Sequence, residues 1–502
     1  MVITHRHITG SGGSLLPSSS QGQSDTDHDD DEKHPSGKHS TKQLALAALA
    51  FLGLLIPFFM LIFGRRHQHD NRKASLNNLP APSSSALISQ IPYPVAPSEK
   101  NSRQRSIVLL GPHDRFNFGD LLFSKVLSRL LEQRAGYDAS RILFGGLVPV
   151  NMTGYGGPTQ IFSMKQIQHM SQTDHLYGPY DIVYTGGEAL GCYHACGVDM
   201  LPTLELRQLA MKEKIFDCAY LVPKKLLLPK QPVERRSGAL ERRQSLSSSN
   251  QNYAVVNSMG GTQSGPCKTA IASADFKGYR DKGTIPTPDS AVMTKELFYS
   301  EINAMAKVVT DELGIFFREA QGSDGRYIAV QHKSFDLDTK ILAQTLDLVS
   351  RHMKAPVIFF AAGTVLNHDD FSIYDEVSSL MEEKSFVYRS EHALKIVALI
   401  SGAEAVLGTS LHVRIMAFIY FKPRVTWCTE MKHKKFIQLW DAYNAPSCVK
   451  VNETLPMLAK YVGTSPEITQ NETMAVYEKT VRQYVSFFDG WSSKLIQNKN
   501  ES

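Results

Sequence analysis

The sequence predicts an α/β protein with two doubly wound, Rossmann-like domains that face one cleft, after a single N-terminal transmembrane helix. Short apolar segments of strand length alternate with amphipathic segments of helix length through both halves of the chain, as in parallel sheets covered by helices. The length of 502 residues allows two or three domains. One run of 20 uncharged residues near the N-terminus is long enough to cross a bilayer.

The composition is that of a globular protein, with 42% hydrophobic and 21% charged residues. The formal net charge of +5 is small for this length and the basic residues are scattered, so nucleic acid is not an expected partner. The six cysteines are too few for a disulfide framework and allow one or two bridges.

The N-terminal region is predicted to anchor the protein in a membrane. Residues 1–43 are polar and are expected to be disordered, and residues 44–63 follow as a signal anchor, because so long a polar leader does not fit a cleavable signal peptide. Residues 64–105 are expected to form a stem. Flanking charges slightly favour a cytoplasmic C-terminal part, whereas four glycosylation sequons favour a luminal one. The sequons begin at Asn151, Asn452, Asn471 and Asn500.

The first α/β domain is predicted over residues 106–320, with a disordered, basic and Ser-rich insertion at residues 224–252. Its predicted strands are residues 106–110, 142–147, 181–184 and 253–257. The first strand leads to Asn117, Gly119 and Asp120, followed by a helix over residues 121–133. Asp120 is expected to cap this helix, and Gly119 would let the backbone approach a ligand. The same residues also fit a capped helix without a ligand.

In two further places of this domain, glycines or charged residues lie at the end of a predicted strand. Gly186, Gly187 and Glu188 follow the third strand, and they suit either a ligand or a plain tight turn. Arg280 and Asp281 end another predicted strand. The arginine can hold phosphate or carboxylate through two parallel hydrogen bonds, or it can form a surface salt bridge with Asp281.

Cysteines and a histidine lie between these turns, in the sequence CYHAC. Cys192, His194 and Cys196 have no second Cys/His pair at zinc spacing, so this segment is interpreted as structural, with room for a Cys192–Cys196 bridge.

The second domain is predicted over residues 321–502, including a C-terminal helix. A long helix over residues 294–316 is expected to bridge the halves. The predicted strands are residues 326–331, 356–360, 387–388 and 405–407, and the predicted helices are residues 337–351, 391–401, 411–420 and 471–491. The last helix is a candidate to return to the first domain, and residues 429–436 are expected to be a solvated face except for one lysine.

The strand at residues 405–407 leads through Thr409 and Ser410 into the helix that begins at Leu411. Free backbone N–H groups and the positive end of the helix dipole make such a turn a candidate anion site. His412 lies in the first helical turn, where it can bind an anion, move a proton, or simply cap or pack. Lys333 follows the strand at residues 326–331 and is expected to face the same cleft.

Taken in order, the motifs NxGD, GGE, RD and GTSLH resemble the polysaccharide pyruvyl transferase family, in a membrane-anchored, eukaryotic-type form. The matching residues include Asp120, Glu188, Arg280 and His412, and the resemblance covers residues 106–436 without the insertion. The following residues also match the family pattern: Gly408, Thr409, Leu411, Ala417, Lys422, Pro423 and residues 288–291. Two positions depart from it, because Glu404 stands near a usual aspartate and Arg414 replaces a usually small residue.

The resemblance implies a glycosyltransferase-B-like fold and transfer of pyruvate from phosphoenolpyruvate to two sugar hydroxyls, with release of phosphate and formation of a ketal. It implies no cofactor, and the chemistry requires no metal. Arg280 and the helix start would bind the donor, and His412 would act as acid or base. The expected substrate-binding residues are Asn117, Gly119, Asp120, Gly186, Gly187, Glu188, Lys333, Thr409, Ser410 and Leu411.

The expected partners are phosphoenolpyruvate, a glycan acceptor with a terminal galactose, and the membrane. The expected location is the Golgi, as a glycoprotein with a luminal catalytic part. Two other functions fit the same motifs: a glycosyltransferase that uses a nucleotide sugar, and a non-catalytic, membrane-anchored glycan-binding protein.

Overall fold

The computed structural model describes residues 105–173, 180–227, 252–261, 265–281, 286–319, 325–333, 338–365, 368–428, 431–441, 448–463 and 466–500. The predicted tail, the predicted membrane anchor and the stem up to residue 104 lie outside the described residues, as do residues 228–251 of the predicted insertion. Within the described ranges, none of the helices is long and apolar enough to span a bilayer.

The first of two parallel sheets is built from the N-terminal half of the described chain. Its strand order is β3-β2-β1-β4-β5-β6, which is the doubly wound Rossmann order. Strands β1, β4 and β5 are buried along their whole length, as expected for a sheet covered on both faces. The strands are β1 Ser106–Leu110, β2 Ile142–Gly146, β3 Phe162–Ser163, β4 Tyr180–Tyr184, β5 Ala254–Met259 and β6 Phe276–Tyr279.

The second sheet repeats this topology. Its order, β12-β11-β10-β7-β8-β9, is the same pattern counted from its own first strand, and its paired strands are all parallel. The prediction of two doubly wound parallel sheets is therefore confirmed. The strands are β7 Ile328–Gln331, β8 Val357–Phe360, β9 Ser385–Tyr388, β10 Ala405–Gly408, β11 Arg424–Trp427 and β12 Cys448–Val449.

Helices cover both sheets, and one apolar cluster joins them. It contains Ile107 of β1 and Val406 of β10, together with the helix residues Phe123, Leu399 and Ile415. The helices are α1 Phe118–Gln133, α2 Met164–Thr173, α3 His194–Asp199, α4 Leu204–Lys212, α5 Lys224–Leu227, α6 Gly265–Ala272, α7 Thr294–Leu297, α8 Tyr299–Glu319, α9 Thr339–Met353, α10 Phe371–Leu380, α11 Ala393–Gly402, α12 Leu411–Ile419, α13 Met431–Trp440, α14 Thr454–Gly463 and α15 Pro466–Asn500.

The start of helix α1 differs from the prediction. Asn117 is the N-cap, and its side-chain oxygen accepts hydrogen bonds from the backbone N–H groups of Gly119 and Asp120 at 3.2 and 3.4 Å. The helix therefore begins three residues earlier than its apolar pattern indicates, and Asp120 lies in the first turn rather than at the cap. An asparagine whose backbone is extended and whose side-chain oxygen can accept from the first N–H groups of a helix is a strong N-cap. This explains why the helix begins earlier than predicted.

Other boundaries were also wrong. The predicted helix over residues 294–316 is interrupted at Phe298, whose backbone is not helical (φ −127°, ψ 23°). The insertion begins later than predicted, because Lys224–Leu227 is helical and the Lys224 ammonium pairs with Asp275 at 3.0 Å. Residues 431–440 form helix α13, and Lys435 donates to the backbone oxygen of Asp281.

Helix α15 returns to the first sheet, as the sequence indicated. The Tyr484 hydroxyl donates to Asn257 of β5 at 3.1 Å, and Asp489 pairs with Arg134 just after helix α1. Trp491 is buried at the end of this contact. The chain thus crosses back after completing the second sheet, which ties the two halves together.

Three disulfides occur where one or two were expected. Cys192 pairs with Cys196, so the CYHAC segment is a bridge and not a metal half-site, in agreement with its structural interpretation. The two other bridges join positions 49 and 20 residues apart, Cys218–Cys267 and Cys428–Cys448. Pairing over such separations depends on the fold and not on local spacing.

Arg414, the residue that departs from the family pattern, belongs to a buried charge cluster. Its Nε donates to Asp441 Oδ2 at 2.7 Å, and Arg424 of β11 donates to both oxygens of the same carboxylate. Thr426 accepts from Nη1 of Arg414 at 2.8 Å, and Tyr461 accepts from Nη1 of Arg424 at 3.0 Å. One carboxylate therefore compensates two buried guanidinium groups.

We expect Asp441→Asn to lower the free energy of unfolding by about 3–5 kcal/mol, because two buried cations would lose their counter-charge. Denaturant unfolding of the purified protein measures this loss. Asp375→Asn is the matched control, since Asp375 pairs with Arg389 at the surface with both side chains about half exposed and should change stability by about 1 kcal/mol or less. Equal losses in the two variants would contradict the prediction.

Candidate active site

The predicted motifs NxGD, GGE, RD and GTSLH lie at the carboxyl ends of strands β1, β4, β6 and β10, where they meet. In doubly wound sheets, ligands bind where the strand order reverses, which here is between β1 and β4 and between β7 and β10. The segments after β1, β4, β7 and β10 line a single cleft of about 320 Å³. The cleft size is within the range of small-molecule sites.

Most of the predicted site residues line this cleft. They are Asn117, Asp120, Glu188, Arg280, Lys333, Thr409, Ser410, Leu411 and His412. Gly119, Gly186 and Gly187 are not part of the wall, and their role is backbone geometry. Gly186 and Gly187 have φ angles of +125° and +84°, which side-chain-bearing residues rarely adopt, so they let the chain turn sharply after β4.

His412 reaches from helix α12 of the second sheet to helix α1 of the first. A Cβ atom on Gly119 would lie 2.1 Å from the His412 Nδ1 atom, so only glycine leaves room for the ring. Phe123 packs edge-on against the imidazole, with ring centroids 5.1 Å apart. The Nε2 atom lies 3.7 Å from Asp289 Oδ2, and the side chain is 12% exposed. The ring is therefore held firmly while one edge still lines the cleft.

Asp289 connects His412 with Arg280. The Arg280 Nη1 atom donates to Asp289 Oδ2 at 3.0 Å, and its Nε and Nη2 atoms donate to Asp281 at 3.0 and 3.1 Å. Burial raises the pKa of Asp289, but His412 and Arg280 lower it more strongly, to about 2. Asp289 is thus an anion at neutral pH, and it pairs with the buried Arg280 guanidinium.

Arg280 is not a surface residue. Its side chain is 2% exposed, so the surface salt bridge that the sequence left open is wrong. Burial alone would lower the pKa of Arg280, but Asp281 and Asp289 raise it. Arg280 follows strand β6 rather than ending it, and its guanidinium lines the cleft while it is bonded to both aspartates.

The turn before helix α12 is only partly available to a ligand. Gln331 Oε1 accepts from the backbone N–H groups of Thr409 and Ser410 at 3.1 and 2.9 Å, so these two groups are occupied, contrary to the expectation of a free turn. Ser410 makes no side-chain cap, and the first backbone N–H groups of the helix, from Leu411 onward, have no intrahelical partner. The anion-binding capacity therefore resides in the helix start itself.

Asp369 is a cleft residue that the sequence did not indicate. Its Oδ1 atom accepts from Gln331 Nε2 at 2.6 Å, and its Oδ2 atom accepts from the backbone N–H groups of Ala362 and Gly363. Burial raises the pKa of Asp369 to about 7, although these hydrogen bonds act to lower it. The carboxyl orients Gln331, which in turn orients the turn before helix α12. An aspartate in a loop gives no sequence signal for such a role.

A second set of unpredicted residues lies on the first-sheet side. The Arg115 Nη1 atom donates to the Tyr220 hydroxyl at 3.0 Å, and Tyr220 donates to Asp114 Oδ1 at 3.0 Å. The Arg115 Nη2 atom is 3.4 Å from Asp120 Oδ2. Burial raises the pKa of Asp120, while Arg115 and His412 oppose the rise. Arg115, Asp120 and Tyr220 all line the cleft.

The described part of the chain contains no group of three or more His, Cys, Asp or Glu side chains arranged to hold a metal ion. The polar groups of the cleft are instead arranged as arginine–carboxylate pairs, an imidazole and a helix N-terminus. This set is suited to an anionic ligand and to proton transfer.

The fold and the cleft define a two-sheet α/β protein with a candidate enzyme site between the sheets. The sequence model of the polysaccharide pyruvyl transferase family matches residues 272–426, which confirms the resemblance over this stretch and supports a transferase that acts on polysaccharides. Arg280, Lys333 and His412 lie within the matched residues, whereas Asp120 and Glu188 lie before them. The comparison with curated proteins finds no match.

Solved structures with a similar arrangement include sugar-nucleotide epimerases. A putative UDP-N-acetylglucosamine 2-epimerase from Listeria monocytogenes is 8% identical, with 80% of this chain and 97% of that chain covered and a TM-score of 0.41. The UDP-GlcNAc 2-epimerase from Neisseria meningitidis is 13% identical, with 74% and 81% covered and a TM-score of 0.32. At such identity and TM-score, these likenesses say nothing about what this chain binds.

We expect Gly119→Ala to lower the free energy of unfolding by about 1–3 kcal/mol, because the added methyl group would overlap the His412 ring. Denaturant unfolding measures the change. The matched control is Gly490→Ala in helix α15, where a Cβ atom would meet nothing within 4 Å and alanine should stabilise the helix by about 0.5–1 kcal/mol. A neutral effect at Gly119 would show that the ring is not packed against it.

Proposed function

We propose that this protein transfers pyruvate from phosphoenolpyruvate to two hydroxyls of a sugar residue in a glycan, forming a ketal and releasing phosphate. The observation that carries the proposal is the placement of Arg280, His412 and the start of helix α12 in one cleft, with the buried Asp289 between Arg280 and His412, within the stretch that matches the pyruvyl transferase family. The terminal galactose expected as acceptor belongs to the same proposal.

The donor binds through its two anionic groups. Arg280 and the backbone N–H groups from Leu411 onward take one of them, since a guanidinium edge and a helix N-terminus both suit phosphate or carboxylate. Lys333 adds positive charge on the second-sheet side of the cleft. No cofactor takes part, because phosphoenolpyruvate already carries the leaving group.

The reaction forms two C–O bonds at C2 of the donor. The first sugar hydroxyl adds to C2 while C3 accepts a proton and becomes a methyl group. The C2–phosphate bond then breaks, phosphate leaves with the bond's electron pair, and the second hydroxyl attaches to C2. The proton of the first hydroxyl balances the one gained at C3, and the proton of the second leaves with phosphate.

His412 is suited to the proton transfer to C3. Its ring lines the cleft, and its Nε2 atom lies 3.7 Å from the Asp289 carboxylate, which can orient an imidazole that gives a proton to C3. Asp120 and Glu188 line the first-sheet side, where their carboxylates can accept hydrogen bonds from the hydroxyls of the sugar. The acid would therefore lie on the second-sheet side of the cleft, and the contacts with the sugar would lie on the first-sheet side.

We also propose a luminal catalytic part, anchored by residues 44–63 in a Golgi membrane. Three disulfides among the described residues support an oxidising compartment. The sequon residues Asn151, Asn452 and Asn471 are exposed, so they are accessible to glycosylation.

The direct test incubates the whole purified chain with phosphoenolpyruvate and a panel of β-galactosides. Phosphate release and a gain of the mass of pyruvate on the sugar are the expected results. Turnover of a nucleotide sugar without use of phosphoenolpyruvate would instead establish a glycosyltransferase, and glycan binding without turnover of either donor would establish a binding protein.

We expect His412→Asn to lower kcat by about 10²–10⁴-fold, because the acid that protonates C3 would be lost. Phosphate release at saturating donor and acceptor measures kcat. The control is His352→Asn, which removes an exposed histidine at the end of helix α9, outside the cleft, and should leave kcat unchanged. Full turnover in His412→Asn would remove His412 from the mechanism.

A further inference from the structure

Arg115 is a buried cation of the cleft that none of the motifs described above includes. It lies between strand β1 and helix α1, lines the cleft, and is 7% exposed. An arginine so deeply buried requires compensation, because removing its charge from water costs several kcal/mol. Its neighbours show how much of that compensation the protein itself supplies.

Nearby carboxyls compensate the charge of Arg115, but its hydrogen-bond donors are only partly used. Of its five N–H donors, one contacts the Tyr220 hydroxyl at 3.0 Å and one contacts Asp120 at a long 3.4 Å. Its Nε atom is buried without a hydrogen-bond partner among the described residues. Arg280, by contrast, makes three bonds of 3.0–3.1 Å to two carboxylates.

The orientation of Arg115 is nevertheless fixed. Tyr220 accepts from the guanidinium and donates to Asp114, and Asp114 Oδ2 accepts from the backbone N–H of Leu147 at 2.6 Å. The guanidinium carbon also lies 5.3 Å from the centre of the Tyr220 ring. A chain of contacts thus runs from the end of strand β2 to the arginine and holds it in place before any ligand arrives.

Arg115 is also close to the proposed reaction centre. The carboxyl of Asp120 lies 3.4 Å from Arg115 and interacts electrostatically with His412 and Asp289, and Asp289 in turn pairs with Arg280. A guanidinium fork matches a carboxylate or a phosphate through two parallel hydrogen bonds. The proposed donor carries one group of each kind.

We propose that Arg115 is a second anion ligand of the cleft, which binds one of the two anionic groups of the donor while Arg280 and the start of helix α12 bind the other. This inference rests on the proposed function for the identity of the donor. Binding exchanges the long contact between Arg115 and Asp120 for contacts with the donor, and it frees the Asp120 carboxylate to accept a hydrogen bond from the sugar hydroxyl.

The test compares Arg115→Met with Arg129→Met in the whole chain. Arg129 pairs with Glu301 outside the cleft and is about one-third exposed, so its variant controls for the loss of an arginine charge. We expect Arg115→Met to raise the KM for phosphoenolpyruvate ~10–100-fold, as for the loss of charged hydrogen bonds. The control should keep the wild-type KM.

Inorganic phosphate serves as a second probe that does not depend on turnover. Phosphate should raise the thermal unfolding midpoint of the wild type and of Arg129→Met, and this shift should be smaller in Arg115→Met, where only Arg280 and the start of helix α12 remain to bind it. If the phosphate shift depends on Arg115 but the wild type does not consume phosphoenolpyruvate, the anion site stands and the proposed function fails. If turnover occurs and both arginine variants keep the wild-type KM and phosphate shift, the Arg115 proposal is overturned.

Two milder variants cover the case in which Arg115→Met does not fold. Arg115→Lys keeps the charge and removes the fork, and Tyr220→Phe keeps the fork and removes the hydroxyl that orients it. Each should raise the KM for phosphoenolpyruvate by less than Arg115→Met, and with little change in kcat. A wild-type KM in both variants would overturn the proposal.

Discussion

The candidate site depends on one buried carboxylate. Asp289 Oδ1 accepts from the backbone N–H of Ala291 at 3.0 Å, which fixes the carboxylate to its own turn. Its Oδ2 atom then faces Arg280 from the first sheet and His412 from the second. A buried anion must be paired, and the Arg280 guanidinium pairs with this one at 3.0 Å. The same carboxylate therefore links the two sheets at the cleft, in addition to the apolar cluster and helix α15 that hold them together.

The topology explains why chemistry so distant in sequence meets there. Both sheets have the doubly wound order, so the segments that follow β1, β4, β7 and β10 all face the cleft. These strands and their turns are locally encoded: each is a short apolar run, followed by glycine or small polar residues after β1, β4 and β10 and by His332 and Lys333 after β7. For this reason the two-sheet architecture, the cleft and most of its polar lining could be predicted from the sequence. Boundaries failed where a cap or a buried aromatic residue, as at Asn117 and Phe298, overrode the apolar pattern.

The contacts that tune the site could not be predicted, because they join residues that have no local relation. Arg115 and Tyr220 are 105 positions apart, and Gln331 and Asp369 are 38 apart. A lone tyrosine or aspartate in a loop carries no periodicity or spacing from which a partner could be inferred. Strand β11 was missed for a related reason. Its Arg424 is charged, which indicates a surface position from the sequence alone, whereas in the fold it is buried against Asp441.

The distribution of charge in the cleft bears on the kind of donor that the cleft can take. Carboxylates surround each arginine, so an anion is attracted only where a guanidinium is incompletely paired, or at the start of helix α12. A nucleotide diphosphate presents adjacent phosphates and would need neighbouring cationic contacts. Here Arg115 pairs with Asp120, and Arg280 pairs with Asp281 and Asp289. In the proposed function the carboxylate and the phosphate of phosphoenolpyruvate, both attached at C2, would each take one of these arginines, and C3 would lie beside His412.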